Sequence, residues 1–522
     1  MGVVEWLAMT PNSTKKMKLT LNTPLMLLAL ASTALGQNNP GPRNWFGPDF
    51  SSRRDMPRPT ALSGIRAGQN TVKRWNEIAV NASGLDHTSV SVGETRIYGE
   101  QLGPCRASRA IAIVHIAMFE AHNAAVGQPF RSYLSLPRAA GKVSADAALA
   151  QAARDALVAM FPSQSAGFDA ALAEDLTRIP NGASENNGIA LGKSAAAAIL
   201  AQRADDRSNH AELQVGVDFI TSKEPGKWRQ DPISKSPVAL GALWHTVRPF
   251  MMTSAAQFRL PPPPALNSME YSIAFVEVKR LGGDGVTTAT ERTEEESFIG
   301  TFWAYDGTPS LCAPPRLYNQ IAIRIADQMG TTGLDLSRLL VLANVAMADT
   351  GIAAWDSKYF YQVGRPVTAI REASSGGAQD DGNDDTVGDA AYSPLGAPAS
   401  NLQGPNFTPP FPAYPSGHAA FGGALFQTLR RYYGRDDIAF TFVSDEYNGI
   451  TTDNTGAVRA LKPRSFINLS EAENENAASR IYLGIHWNFD ASQGVVQGRN
   501  VANHIVDNLY PPVPQRQNQG QR

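Results

Sequence analysis

Residues 108–126, SRAIAIVHIAMFEAHNAAV, are apolar on nearly every side and rich in alanine. A segment of that composition is stable in water as a helix buried by its neighbours. Comparable patterns predict helices at 70–80, 144–160, 168–175 and 189–204. After a break they resume at 274–281, 291–305, 318–329, 337–355, 417–433, 471–483 and 490–508. Long alternating runs are absent, and residues 90–97 offer at most a minor strand. The expected class is all-α. Charged residues make up only 18% of the chain against 43% hydrophobic, which favours a large buried core over disorder. With 522 residues, the chain suits two or three domains.

Lys15, Lys16 and Lys18 precede an apolar stretch, 19–30, and then Ala34-Leu35-Gly36. Basic, apolar and small residues in that order describe an export signal. The stretch is too short to span a bilayer, and no later apolar run of spanning length is expected. A soluble, secreted or periplasmic protein is therefore expected. The reading divides the chain into a signal peptide (1–36), an extended Pro- and Arg-rich arm (37–70), an N-terminal helical bundle (71–265), a C-terminal helical bundle (266–510) and a disordered tail (511–522). Pro261 to Pro264 mark the seam. Net charge is −2, so no general field draws in nucleic acid or an anionic membrane, and neither is expected as a partner. Any anion site must come from local placement of cations. Cys105 and Cys312 are too few for a disulfide framework; one bridge and two buried thiols both remain open. The loop 372–410 carries a DDGNDD run that offers calcium-type ligands, although a solvated acidic loop is the plainer reading. His115 and His122, seven apart on the apolar helix, read as core groups.

Three segments of the C-terminal half carry chemistry. Lys358 and Arg365 are seven residues apart and share a face if one helix reaches Arg365, where Pro366 discourages continuation. Alone, the pair is better explained by a solvated basic face than by a site. Ser416, Gly417 and His418 precede a long amphipathic run. They therefore fall at a helix N-terminus, where free N–H groups and the dipole attract anions. A capped helix with a surface histidine accounts for that motif equally well. Arg480 adds a forked donor. His486 and Asp490 are spaced so that the carboxylate can hold one ring nitrogen and free the other as ligand or nucleophile. Together, three cations, a helix N-terminus and two histidines describe a trap for a tetrahedral or trigonal oxyanion.

The order Lys358-x6-Arg365-Pro366, Pro415-Ser416-Gly417-His418, Ser479-Arg480-x5-His486-x3-Asp490 resembles the signature of the type 2 phosphatidic acid phosphatase and vanadium haloperoxidase superfamily. Within it, residues 406–418, the run FWAYDG at 302–307 and Trp355 are similar to vanadium chloroperoxidases of the fungal type. The resemblance implies two four-helix bundles with long connecting loops, and a vanadate cofactor. It implies His486 bonded to vanadium, and Lys358, Arg365 and Arg480 neutralising the oxygens. Ser416 and the Gly417 N–H would donate to those oxygens, and His418 would act as acid and base. Asp306 would pair with Arg480, Asp490 would hold His486, and Trp355 and Phe411 would line the halide approach. The implied reaction takes hydrogen peroxide, a halide and a small organic acceptor through a peroxovanadate intermediate, with Lys358 polarising the peroxide. Phe411, a phenyl where bromoperoxidases resembling this pattern place histidine, implies that chloride is oxidised as well as bromide. The chain departs from the pattern in its shorter length, at 359–364 and in the acidic loop. Two other functions would use the same residues. One is an exported acid phosphatase with His486 as nucleophile; the other is a non-catalytic oxyanion-binding protein.

Overall fold

A computed structural model describes residues 41–53, 67 and 70–514. The expected export signal, part of the arm and most of the tail lie outside the described residues. Helices dominate: α1 (Arg43–Phe46), α2 (Thr71–Asp86), α3 (Gly103–Ala125), α4 (Ala145–Met160), α5 (Ser165–Leu176), α6 (Ala183–Arg203), α7 (Met269–Leu281), α8 (Glu294–Phe302), α9 (Pro314–Gln328), α10 (Gly333–Tyr361), α11 (Pro366–Glu372), α12 (Gly417–Tyr433), α13 (Leu469–Tyr482) and α14 (Asn488–Asn508). Their starts follow local chemistry. The side chains of Asn70, Ser144, Ser268 and Asn468 each accept a backbone N–H of the first turn. Thr293 and Glu296 close a reciprocal capping box on α8. Pro104, Pro314 and Pro366 sit in first turns, where a missing N–H costs nothing.

Two helical bundles result. In one, α3 packs against α4 and α6; in the other, α12 packs against α10, α13 and α14. The contact between α3 and α10 joins them. Helix α3 is buried almost throughout, as its composition requires. Helix α10 corrects one expectation: it is long and apolar enough to cross a membrane, yet 94% of its most apolar stretch is buried inside the protein. Residues 90–97 form no strand. The β-structure consists of three short antiparallel pairs: β1 (Ser51–Ser52) with β4 (Leu402–Gln403), β2 (Leu213–Gln214) with β3 (Val238–Ala239), and β5 (Phe440–Phe442) with β6 (Arg464–Phe466). The first pair fastens the N-terminal arm to the C-terminal half. Phe50 lies flat against Gly404, where a Cβ would come within 2.7 Å of the ring.

Cys105 and Cys312 are both buried free thiols. His115 is a satisfied core group, its ring nitrogens meeting the Ile111 carbonyl at 2.8 Å and Asn76 Oδ1 at 3.0 Å. His122 is buried, but its Nδ1 has no partner. In the acidic loop, Asp380 accepts the N–H groups of Gly376 and Gly382, and Asp381 accepts Asn383 N–H and Thr386 Oγ1–H. Those carboxylates serve as turn acceptors.

Candidate active site

Lys358 lies in the last turn of α10, which ends where Gln362 takes the left-handed conformation, φ 52°. Arg365 is extended and forms the N-cap of α11, before Pro366. The two cations therefore do not share one helix; a tight connection brings them together, and Pro366 is the reason. The Lys358 ammonium donates to the carbonyls of Pro412 (2.7 Å), Ala413 (3.0 Å) and Pro415. Arg365 donates to the carbonyls of Phe411, Ile485 and Pro409 and, through Nη1, to His486 Nε2 at 2.8 Å. Both side chains are buried. Burial, then the neighbouring Arg365, pulls Lys358 well below the usual lysine value, and burial brings Arg365 down to about 9.

Ser416 caps α12, its hydroxyl accepting Ala419 N–H at 3.4 Å, so the hydroxyl keeps its own proton to donate. Gly417 has a packing reason. A Cβ there would come within 3.3 Å of the Trp355 ring. His418 is buried, not on the surface, and its Nε2–H donates to the Ala304 carbonyl. That contact fixes the tautomer and leaves Nδ1 with the free lone pair. Burial, then Arg480, holds the imidazole well below its ordinary value, so it is neutral at neutral pH.

Arg480 is fully buried and donates through Nη2 to Asp306 Oδ1 at 2.7 Å. Its Nε and Nη1 have no partner, an expensive arrangement for a buried cation. Asp306 also lies 3.8 Å from His418 Nε2, and burial pushes its carboxyl upward despite the pull of Arg480. His486 sits in the turn between α13 and α14, one residue before the N-cap Trp487. Its contact with Asp490 is therefore not a helical stack. Asp490, in the first turn of α14, reaches back to take the His486 Nδ1–H at 2.9 Å and the Trp487 N–H at 3.0 Å. The Nε2 lone pair of His486 is thereby turned toward Arg365. Burial lifts Asp490 to about 7 and keeps His486 neutral.

Trp355 and Phe411 form an apolar wall, ring centres 4.9 Å apart, with the Lys358 ammonium 5.5 Å and 4.9 Å from the two rings. A cavity of about 60 Å³ lies against Phe411, Gly417, His418, Arg480 and His486. All the expected site residues thus converge. Sequence reasoning missed the backbone acceptors, Ala304 for His418 and Leu240 for the Trp355 indole N–H (3.0 Å); a carbonyl has no residue-type signal. It also missed Trp45 and Phe46 of the arm, which line the cavity. An aromatic pair inside a polar, Pro-rich stretch was the available clue.

Three buried cations face two carboxylates, and the histidines are neutral. An oxyanion is what this donor set fits, above all the two unpartnered donors of Arg480. Among the described residues no group of three or more His, Cys, Asp or Glu side chains is arranged to hold a metal ion. A metal oxyanion held through one imidazole and hydrogen bonds requires none. A model of the second helical-bundle domain of vanadium chloroperoxidase (VCPO) matches residues 338–512. The chain is 30% identical over 508 residues to the vanadium chloroperoxidase of Curvularia inaequalis, covering 81% of this chain and 79% of that protein. Among solved structures, a bacterial vanadium-dependent iodoperoxidase shares the fold with TM-score 0.66 at 23% identity, covering 87% of this chain and all of that one. An apo-type bacterial vanadium-dependent chloroperoxidase does so with TM-score 0.57 at 17% identity, over 78% of this chain and 94% of that one. Sequence kinship across both bundles, together with a buried trap of cations around one poised imidazole, makes this chain a member of the vanadium-dependent haloperoxidase family.

Proposed function

We propose that the protein oxidises chloride and bromide with hydrogen peroxide to hypohalous acid, with vanadate held at the cavity. His486 Nε2 is the ligand atom; Lys358, Arg365 and Arg480 neutralise the oxygens, and the Ser416 hydroxyl and Gly417 N–H donate to them. The observation that carries this reading is Arg480, whose Nε and Nη1 are buried without partners in the cavity wall. When bound, vanadate supplies Lewis-acid activation of peroxide without changing oxidation state.

The chain's own contribution follows from its geometry. Asp490 keeps the proton on His486 Nδ1, so Nε2 stays a lone-pair donor. Arg365 Nη1 occupies that lone pair and gives it up to the ligand. His418 Nδ1 takes a proton from entering peroxide and returns it to the oxygen that leaves as water. Lys358, held by three carbonyls, adds positive charge beside the Trp355 and Phe411 wall, where halide arrives. The net change is peroxide, halide and one proton to hypohalous acid and water. Phe411 makes that approach apolar, which supports chloride as well as bromide, with a small organic compound as final acceptor. Export through residues 1–36, and two four-helix bundles meeting at 265 and 266, complete the proposal.

The test is halogenation of monochlorodimedone by vanadate-loaded protein with peroxide, in chloride and in bromide, beside p-nitrophenyl phosphate hydrolysis without vanadate. Turnover with both halides is expected, and His418→Ala should lose roughly 10²–10⁴-fold in rate. Bromide turnover alone would overturn the role given to Phe411. No halogenation, with phosphatase activity that vanadate inhibits, would overturn the proposal.

A further inference from the structure

Hypohalous acid is an electrophile, and any nucleophilic side chain on its way out is a target. Thioethers and thiols are the common victims of oxidants in proteins. The cavity wall contains no methionine, cysteine or tyrosine among the described residues. It does contain two tryptophans, Trp355 and Trp45.

The two differ in what they present. Trp355 is 1% exposed. Its pyrrole edge, Nε1 and Cδ1, lies so close to Gly241 that no Cβ could be added there, and the N–H is bonded to the Leu240 carbonyl. The edge nearest Gly417 is the benzo edge, Cη2 and Cζ3, the less electron-rich side of the ring. The oxidisable C2–C3 bond is therefore covered by backbone. Trp45, on α1, is half-buried. It stands apart from the other described tryptophans, none of which exceeds 2% exposure. Its backbone is pinned by the Ser236 hydroxyl on its carbonyl, which holds the residue at the cavity.

We propose that Trp45 is a site of oxidative modification by the hypohalous acid the enzyme itself releases, a proposal that rests on the haloperoxidase reading above. The C2–C3 π pair attacks the halogen, forming C3–X as the O–X bond breaks and hydroxide leaves. Water adds at C2. Loss of halide from C3 and of protons from the ring then gives the 2-oxindole. The indole loses two electrons and gains one oxygen, and the halogen passes from hypohalous acid to halide.

Met269 on α7, 79% exposed and absent from the cavity wall, reports oxidant that has escaped to bulk. The experiment runs vanadate-loaded enzyme with peroxide and bromide in excess free methionine as scavenger, then maps peptides by mass spectrometry. A second sample receives hypobromite from outside under the same scavenger, and a third is assayed for monochlorodimedone halogenation. The expected result is one added oxygen on Trp45 in the turnover sample, with Met269 and Trp355 unchanged, and no change in the hypobromite sample. Trp45 unmodified in an enzyme that halogenates, or modified only in step with Met269, overturns the proposal. Absence of halogenation overturns the haloperoxidase reading and this one with it.

Discussion

Lys358 shows how a single side chain can be both held and poised. Its ammonium has three carbonyl partners yet is fully buried beside Arg365, so its proton is lost well below the ordinary lysine value. The sign of the consequence is fixed. An oxyanion prefers the charged lysine, which persists at pH below the shifted value and disappears above it. Vanadate affinity should therefore fall as pH rises, beginning well short of the usual lysine range. Lys358→Met should bind more weakly but lose that part of the pH dependence; vanadate titrations of both proteins across neutral to alkaline pH compare the slopes, since the ligand's own ionisation is common to both. At this scale the sequence was most informative where residue type is the signal. Lys358, Arg365, Arg480, His418, His486 and Asp490, singled out by residue type, lie close together in the fold. Ala304 and Leu240 act through carbonyls that every residue owns, so no reading of residue types finds them.

Among the elements, α12 and α14 do most to assemble the site, because one carries Ser416 to His418 and the other Asp490. They approach closely through glycine. A Cβ on Gly494 would come within 2.7 Å of the Ser416 carbonyl, one on Gly423 within 2.6 Å of the Val495 carbonyl, and one on Gly498 would collide with the Ala420 carbonyl. Gly498→Ala should force the helices apart and cost about 1–3 kcal/mol. Chemical denaturation measures that loss, and an unchanged midpoint would show that the helices give way freely. The helix pattern itself was legible to within a turn at most ends, because caps and apolar periodicity are local. What the spacing left open was whether one helix reaches Arg365: α10 stops at Tyr361, and Arg365 belongs to the next element. Seven-residue spacing suggested one helix face, while the left-handed Gln362 and Pro366 decide otherwise. The contact of His486 with Asp490 forms without a shared helix, since a capping turn brings the two side chains together as a helix would.

For the molecule as a whole, the buried cations are a burden that the fold carries until an anion arrives. A ligand that binds only the folded state stabilises it by mass action, by about 1.4 kcal/mol for each tenfold excess over Kd. Vanadate should raise Tm in proportion to its logarithmic concentration, phosphate should do so less, and Arg480→Ala should shrink both shifts. Calorimetry at several anion concentrations reads this, and a Tm independent of vanadate would remove the oxyanion role. The arm was the least legible part at this scale. Its Pro-rich composition predicts an extended segment, and nothing in it says that β1 will pair with β4 across the whole chain. That pairing has a consequence in time. Trp45 belongs to the first stretch of the described chain to be synthesised, and His486 and Asp490 to nearly the last, yet they share one pocket or its immediate support. No nascent polypeptide still lacking residues 486–490 can possess that pocket, so any anion it takes can enter only after this late segment has been made and folded.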